Sequence, residues 1–204
     1  CLLATDALAQ AKKPRVPPGL DPGGVAVAIA AESGIDYTRP EIARRLARDG
    51  EGELIGWDFV DDDQRPYEPA IAGGPGPGTL LARTILSEAG RSRVAAFRAK
   101  PGDKISLGRM AVYAARSPAR IALVTASSPN RTDWEAFAEV VTHFKSLLVI
   151  IPAEPTAAAY PAALRLDNIL VVTAHEGLAA IGAAARGPAI DIAAAAGGLG
   201  SAIA

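Results

Sequence analysis

The stretch VAVAIAAESGID, residues 25–36, indicates the fold class of this chain. Its first seven residues form an apolar run with Gly24 before it and Gly34 shortly after it, which is typical of a strand buried on both faces. Similar runs follow at residues 93–98, 120–126, 147–151 and 169–173, with a weaker one at 54–60. Helical patterns lie at residues 40–49, 80–89, 107–115 and 132–144. Because parallel neighbours need long crossovers, the chain predicts an α/β fold whose mostly parallel central sheet lies between helices.

Composition agrees with one such domain and excludes several classes of protein. The chain has 204 residues, half of them hydrophobic, and a net charge of −1. That length is enough for a sizeable core. Lysine and arginine are scattered, which argues against a nucleic-acid or membrane-surface partner. The single Cys1 has no second cysteine for an internal disulfide.

The first residues are typical of an exported protein. Residues 1–11 match the remnant of a secretory signal peptide, with the small-x-small cleavage pattern at Ala9-Gln10-Ala11. Their apolar run is too short to span a membrane. A lipid-modified Cys1 is the alternative. Residues 12–24 then form a Pro/Gly-rich lead-in and residues 25–204 the domain, so we expect a periplasmic or secreted location.

Ligands of parallel sheets bind beyond the carboxyl ends of the strands. The residues that follow the predicted strands are Glu32, Pro101, Ser127 and Glu154. The loop GGPGPGT, residues 73–79, leads into a helix beside them and could be read as a phosphate cradle. Pro75 and Pro77 argue against that, because neither has a backbone N–H to offer an anion.

Six segments, taken in order, resemble subtilisin-like serine peptidases. They are VAIAAESGIDYTRPEI (27–42), GWDFVDDDQRPYEP (56–69), GPGTLLARTI (76–85), WEAFAEVVTHFKSLLVIIPAEP (134–155), YPAALRLDNILVVTAHE (160–176) and AIDIAAAAG (189–197). The resemblance implies a three-layer subtilase-like fold. It also implies that the domain is incomplete at its C-terminus, because Ala204 comes before the family's Gly-Thr-Ser nucleophile motif.

The resemblance places degenerate residues at the family's catalytic positions. Glu32 matches the aspartate that orients the histidine, and Pro77 matches the histidine itself. Proline can neither accept nor donate a proton, so no general base remains there. Glu154 matches the asparagine of the oxyanion hole, where a carboxylate would repel the developing negative charge. We therefore expect no intact catalytic site.

Two histidines and a pair of serines are the other candidates for catalytic residues. His143 lies within a predicted amphipathic helix and fits a solvent-facing or hydrogen-bonded helix residue. His175 follows the last predicted strand, but no Asp/Ser pair of recognisable spacing accompanies it. Ser127 and Ser128 match the rim of the family's substrate cleft, not a nucleophile. The sequence assembles no substitute triad.

An acidic loop is the candidate metal site. Asp58, Asp61 and Asp63 supply several hard oxygens at short range, which Ca²⁺ prefers. Some thermostable subtilases bind calcium on a similar loop. Arg65 argues against this reading, and an ordinary solvated loop is the alternative.

For the whole protein the sequence leaves two main hypotheses. One is an exported, catalytically inactive peptidase homologue that binds a peptide or protein ligand in a remnant cleft. The other is the N-terminal part of a longer secreted serine endopeptidase. An unrelated α/β binding protein is a third reading. Since the family's C-terminal elements are missing, uncovered apolar surface should make the isolated chain oligomeric or marginally stable.

Overall fold

The computed structural model describes residues 13–69, 74–100, 104–125, 131–152, 166–176, 180–181 and 192–195. Their strands are β1 (Val25–Ala31), β2 (Gly56–Asp58), β3 (Ser92–Arg98), β4 (Ile121–Val124), β5 (Leu148–Pro152), β6 (Ile169–Glu176), β7 (Ala180–Ile181) and β8 (Ile192–Ala195). Their helices are α1 (Pro40–Ala43), α2 (Pro77–Glu88), α3 (Lys104–Arg116) and α4 (Arg131–Thr142). The structure contains the five long apolar strands and three of the four helices that the sequence predicts, and most of their ends lie within one or two residues of the predicted ones.

The strands form one sheet in the order β2-β3-β1-β4-β5-β6, and all of these neighbours are parallel. Strand β1 lies in the middle, with Val27 opposite Val94 on one side and Ile121 on the other. Beyond β6, β8 adds in parallel and the two-residue β7 pairs antiparallel. The predicted mostly parallel sheet is confirmed.

Alternate residues of β1 face two separate hydrophobic clusters. Ala26, Ala28 and Ala30 pack in a cluster with residues of α3 and α4, whereas Ile29 and Ala31 pack in a second cluster with Ala82 of α2. This alternation is what a strand covered on both faces requires. The small alanines of β1 let helices approach the sheet closely. The three-layer arrangement is therefore built directly on the stretch that predicts it.

The helix predicted over residues 40–49 is wrong beyond Ala43. Proline at its first position starts α1, but the chain soon turns into extended pairing with β3. The Val94 amide donates to the Arg45 carbonyl, and the Ala47 amide donates to the Val94 carbonyl, each at 2.8 Å. The apolar Ile42 and Leu46 point into the core, as the helical pattern suggested, although only Ile42 is helical. Tertiary pairing overrides the local pattern here.

None of the described helices is both long and apolar enough to cross a lipid bilayer.

Candidate functional site

The edge of the sheet where β1 ends brings together two of the predicted catalytic positions. Glu32 directly follows β1 with an exposed side chain, and its carbonyl accepts a hydrogen bond of 3.2 Å from Arg98 Nε. Pro77 is the first residue of α2. The next residue, Gly78, packs against the backbone beside Glu32: a Cβ there would collide with the Gly34 carbonyl and lie 2.9 Å from Ala31 Cβ. The carboxylate position and the proline position are therefore neighbours.

A buried carboxylate covers the N-terminus of α2. Glu68 is only 2% exposed, and its two oxygens accept hydrogen bonds from the amides of Gly78 at 3.3 Å and Thr79 at 2.9 Å. The Thr79 hydroxyl also donates to Glu68 and accepts from the Asp36 amide at 2.8 Å. The Glu68 carboxylate thus occupies the backbone N–H groups at the start of α2 that a bound phosphate would need. The arrangement fits a structural tie between α2 and the loop after β1.

At the edge of the sheet where β1 ends, carboxylates are the only side chains among the described residues that could accept a proton from a nucleophile. Pro77 has no ionisable group. His143 follows the end of α4, exposed, with its ring Nδ1 donating to the Glu139 carbonyl at 2.7 Å. His175 lies in β6 opposite Ile181 and Ala195, and only its backbone is described. The remaining predicted positions lie outside the described residues: Pro101, Ser127, Ser128 and Glu154.

The acidic loop after β2 does bring its three carboxylates together, but around an ammonium group. Lys13 Nζ lies 2.5 Å from Asp58, 2.7 Å from Asp61 and 3.2 Å from Asp63. Arg98 adds a second cation, 3.0 Å from Asp58 and 2.9 Å from Asp61. No group of metal-ligating side chains suited to an ion is found among the residues described. The arrangement is that of an ion-pair cluster, with Lys13 and Arg98 where the sequence predicts Ca²⁺. Calcium binding itself stays an untested prediction.

The ion pairs change the proton affinities of the cluster. Burial disfavours the charge of Lys13, but its hydrogen bonds to Asp58, Asp61 and Asp63 outweigh that effect and raise the pKa of Lys13. The Lys13 hydrogen bond is also the main reason that the pKa of Asp61 is lowered. Lys13 and Asp61 therefore stabilise each other's charged form.

The segment that carries Lys13 is held along its length. The buried Tyr37 hydroxyl donates to the Pro14 carbonyl at 2.8 Å, and the Arg48 guanidinium donates to the Pro17 carbonyl at 2.5 Å. Further on, Asp21 accepts a hydrogen bond of 2.9 Å from the Arg48 amide. We call residues 13–21 the N-terminal strap. The sequence placed this segment in a lead-in and gave no signal for its partners.

Comparison with known proteins establishes what this arrangement resembles. No family model and no curated protein sequence matches the chain. Among solved structures, that of a cold-adapted subtilisin-like serine proteinase matches 88% of this chain with a TM-score of 0.59 and 14% sequence identity. The chain has a subtilisin-like fold. The fold predicted from the six ordered segments is thereby confirmed.

The match also defines how far the likeness extends. It covers 65% of the solved proteinase chain, so this chain spans about two thirds of that length. At this identity the likeness concerns the subtilisin-like fold alone. Glu68 and Lys13 were missed by sequence reasoning, because each gains its role only from partners far along the chain. The sequence offers one hint for Glu68, namely an acidic residue shortly before a Gly-rich loop that leads into a helix.

Proposed function

We propose that this protein is an exported pseudopeptidase, with a subtilisin-like fold and no peptidase activity, which binds polypeptide at the carboxyl edge of its sheet. The observation that carries the proposal is Pro77 at the first position of α2, beside the backbone that leads to Glu32. A nucleophilic hydroxyl needs a base in hydrogen-bond reach, and proline offers none. The exposed Glu32 carboxylate remains as a polar group at an edge where parallel sheets bind their ligands.

The absence of activity is tested with three forms of the chain: unaltered, Pro77→His, and the double variant Glu32→Asp/Pro77→His. We expect none of them to hydrolyse casein or to be labelled by a fluorophosphonate probe, because restoring the base and its carboxylate supplies no activated serine. Serine-directed labelling of the unaltered chain that disappears on mutation of a single serine would refute the proposal.

Polypeptide binding is tested by calorimetry with unfolded casein as the probe. Glu32→Lys changes the charge at the strand end without touching the core, since the Glu32 side chain is exposed. Glu88→Lys changes an exposed charge at the far end of α2 and is the matched control. A change in affinity confined to Glu32→Lys supports binding at this edge. Equal affinities for all three proteins would place any casein binding elsewhere.

The export proposal rests on Ala9-Gln10-Ala11 and is tested separately. The chain should be found outside the cytoplasm when its full gene is expressed, and Ala11→Asp should slow its processing, since that cleavage pattern requires small residues. A product that stays cytoplasmic and unprocessed would contradict export.

One observation favours the second candidate, that this chain is part of a longer secreted serine endopeptidase. The chain spans 65% of the solved proteinase it matches. A downstream coding segment with Gly-Thr-Ser would support this candidate. Pro77 would still leave such a protein without the histidine base.

A further inference from the structure

An open groove lies between the edge strand β2 and the C-terminal half of α3. Its volume is about 530 Å³, within the range of ligand-binding sites. Its lining includes Gln64, Phe97, Tyr113 and Arg116, together with Gly56 and Trp57 of β2. Neither Glu32 nor Pro77 lines it, so the groove is separate from the strand-end site discussed above.

Aromatic rings form one wall of the groove. The rings of Trp57 and Tyr113 have centroids 6.0 Å apart and are tilted by 38°, and Tyr113 also meets Phe59 edge-on at 5.4 Å. Tyr113 is nevertheless 42% exposed, one of four large hydrophobic residues that the described chain leaves open to solvent. Exposed aromatic rings that are already held rigidly are the residues that dominate binding interfaces.

The charges around these rings favour an anionic group at one end. Arg109, Tyr113 and Arg116 share a face of α3, at positions four and three residues apart. Arg109 already has partners within the chain, since it lies over the Phe59 ring and pairs with Asp62 at 3.2 Å. No carboxylate within the described part of the chain pairs with the exposed Arg116. Asp49, the acid of the groove, is engaged by the amides of Glu51 and Glu53 at 2.9 Å each.

The edge position of β2 adds backbone groups to this surface. Strand β2 is the last in the sheet order on its side, with β3 as its strand neighbour. At its end, the Asp58 amide donates to the Asp63 carbonyl at 2.7 Å and the Asp63 amide donates to the Asp58 carbonyl at 3.2 Å. Gln64 already lies along this edge, and its side-chain amide donates to the Leu54 carbonyl at 2.9 Å. An extended peptide can therefore use this edge for main-chain hydrogen bonds only between these two occupied positions, beside the groove residue Gly56.

We propose that this groove binds an extended polypeptide segment in which an acidic residue lies beside an aromatic one. The acidic side chain pairs with the Arg116 guanidinium, which is suited to bidentate contact with a carboxylate. The aromatic side chain packs on Trp57 and Tyr113. This recognition is independent of the strand-end site, so its failure would leave the proposed function standing.

Tryptophan fluorescence is a direct measure of this binding. The chain has two tryptophans, and Trp134 is only 1% exposed in the core, so a ligand in the groove should alter the emission of Trp57. The probe is an acetylated, amidated pentapeptide with glutamate on both sides of a central phenylalanine and glycine at each end. We expect a saturable change, with Arg116→Gln weakening the affinity about tenfold, which is about 1.4 kcal/mol.

Matched controls separate the groove from the rest of the surface. Arg91→Gln removes another exposed arginine, in the turn before β3, and should leave the affinity unchanged. Trp57→Phe should remove the fluorescence signal while calorimetry still detects weaker binding. Replacing both glutamates by lysine, or the phenylalanine by alanine, should each weaken binding at least tenfold. Circular dichroism melting curves confirm that every variant is folded.

Three results would overturn the proposal. The first is no saturable change with the glutamate peptide. The second is equal affinity for the lysine peptide or for the Arg116→Gln variant. The third is binding of 3-phenylpropionate as tight as that of the peptide, which would make the groove a site for small aromatic acids instead of polypeptide.

Discussion

The Glu68 carboxylate lies 2.9 Å from the Thr79 amide nitrogen, at the N-terminus of the helix that starts with Pro77. This contact joins a buried negative charge to the positive end of a helix. Because Thr79 also accepts a hydrogen bond from the Asp36 amide, the same pair fixes the loop that follows β1. The geometry of the strand-end site thus depends on a residue that contributes nothing to its chemistry.

Replacing Glu68 by glutamine should destabilise the protein. The amide keeps the shape but turns a donor toward the N–H groups of Gly78 and Thr79, or leaves one of them unpaired. We expect the free energy of unfolding to fall by about 2 kcal/mol, measured by urea denaturation followed by circular dichroism. Glu88→Gln, at the exposed C-terminal end of α2, should change it by less than about 0.5 kcal/mol. Equal effects of the two substitutions would contradict the capping role.

Gly78 and Gly90 form a second matched pair. A Cβ at Gly78 would collide with the Gly34 carbonyl, whereas a Cβ at Gly90 would meet nothing within 4 Å. We expect Gly78→Ala to lower the free energy of unfolding by about 3 kcal/mol, since the obstacle is backbone that cannot move aside. Gly90→Ala should be nearly neutral. Similar melting temperatures for both variants would show that α2 is not packed against the end of β1 as described.

Lys13→Gln tests the ion-pair cluster. Removing the ammonium leaves the fully buried Asp58 carboxylate with Arg98 as its remaining ion-pair partner among the described residues. We expect a loss of about 2 kcal/mol in the free energy of unfolding, between the values typical of surface and buried pairs. The loss should shrink as sodium chloride rises from about 0.05 to 1 M, because salt screens the charges. Lys145→Gln, at an exposed site, is the control and should show neither effect.

The lowered pKa of Asp61 predicts how stability responds to acid. A carboxyl group with a lowered folded pKa stabilises the protein above its ordinary value of 3.8, and that contribution disappears as the pH falls through the folded value. Lys13, Arg98, Asp58 and Asp63 are the charged groups that face it. The free energy of unfolding should therefore fall as the pH drops through 3.8 and below. Asp61→Asn should flatten this fall and the exposed Asp167→Asn should not.

The raised pKa of Lys13 predicts how stability responds to alkaline pH. Its contribution is present below the ordinary value of 10.5 and is lost as the pH rises through the higher folded value. In the same urea titrations, the difference between the unaltered protein and Lys13→Gln should persist at neutral pH and shrink only above about pH 10.5. A difference that vanished near neutrality would contradict the charged pairing.

Local hydrophobic patterns predict most of the strands and helices correctly, but they fail where a segment pairs with a strand far along the chain. The apolar run of β1 predicts its own burial, because alternating residues can only be covered on both faces. Residues 44–49 have an equally good helical pattern, yet Leu46 pairs with Val94 of β3 and the Ala47 amide donates to the Val94 carbonyl. A one-dimensional pattern contains no information about that partner.

The residues of the candidate site also fall into those that the sequence could identify and those that it could not. Glu32 and Pro77 could be found because they stand in motifs of fixed spacing next to a strand end and a helix start. The roles of Lys13 and Glu68 could not, because a lysine in a Pro/Gly-rich segment and a glutamate in a loop look like solvated surface residues. Only the folded chain shows that Lys13 lies among three carboxylates.

The N-terminal strap has a consequence for the order in which the protein is assembled. Lys13 leaves the ribosome before its partners exist, since Asp58 and Asp63 follow 45 and 50 residues later. Asp21 pairs with Arg93, 72 residues downstream. Contacts over such separations form late, after the chain between them has collapsed. The first part of the strap to be synthesised is therefore among the last to dock, and β3 must be in place before Asp21 of the strap can pair with Arg93.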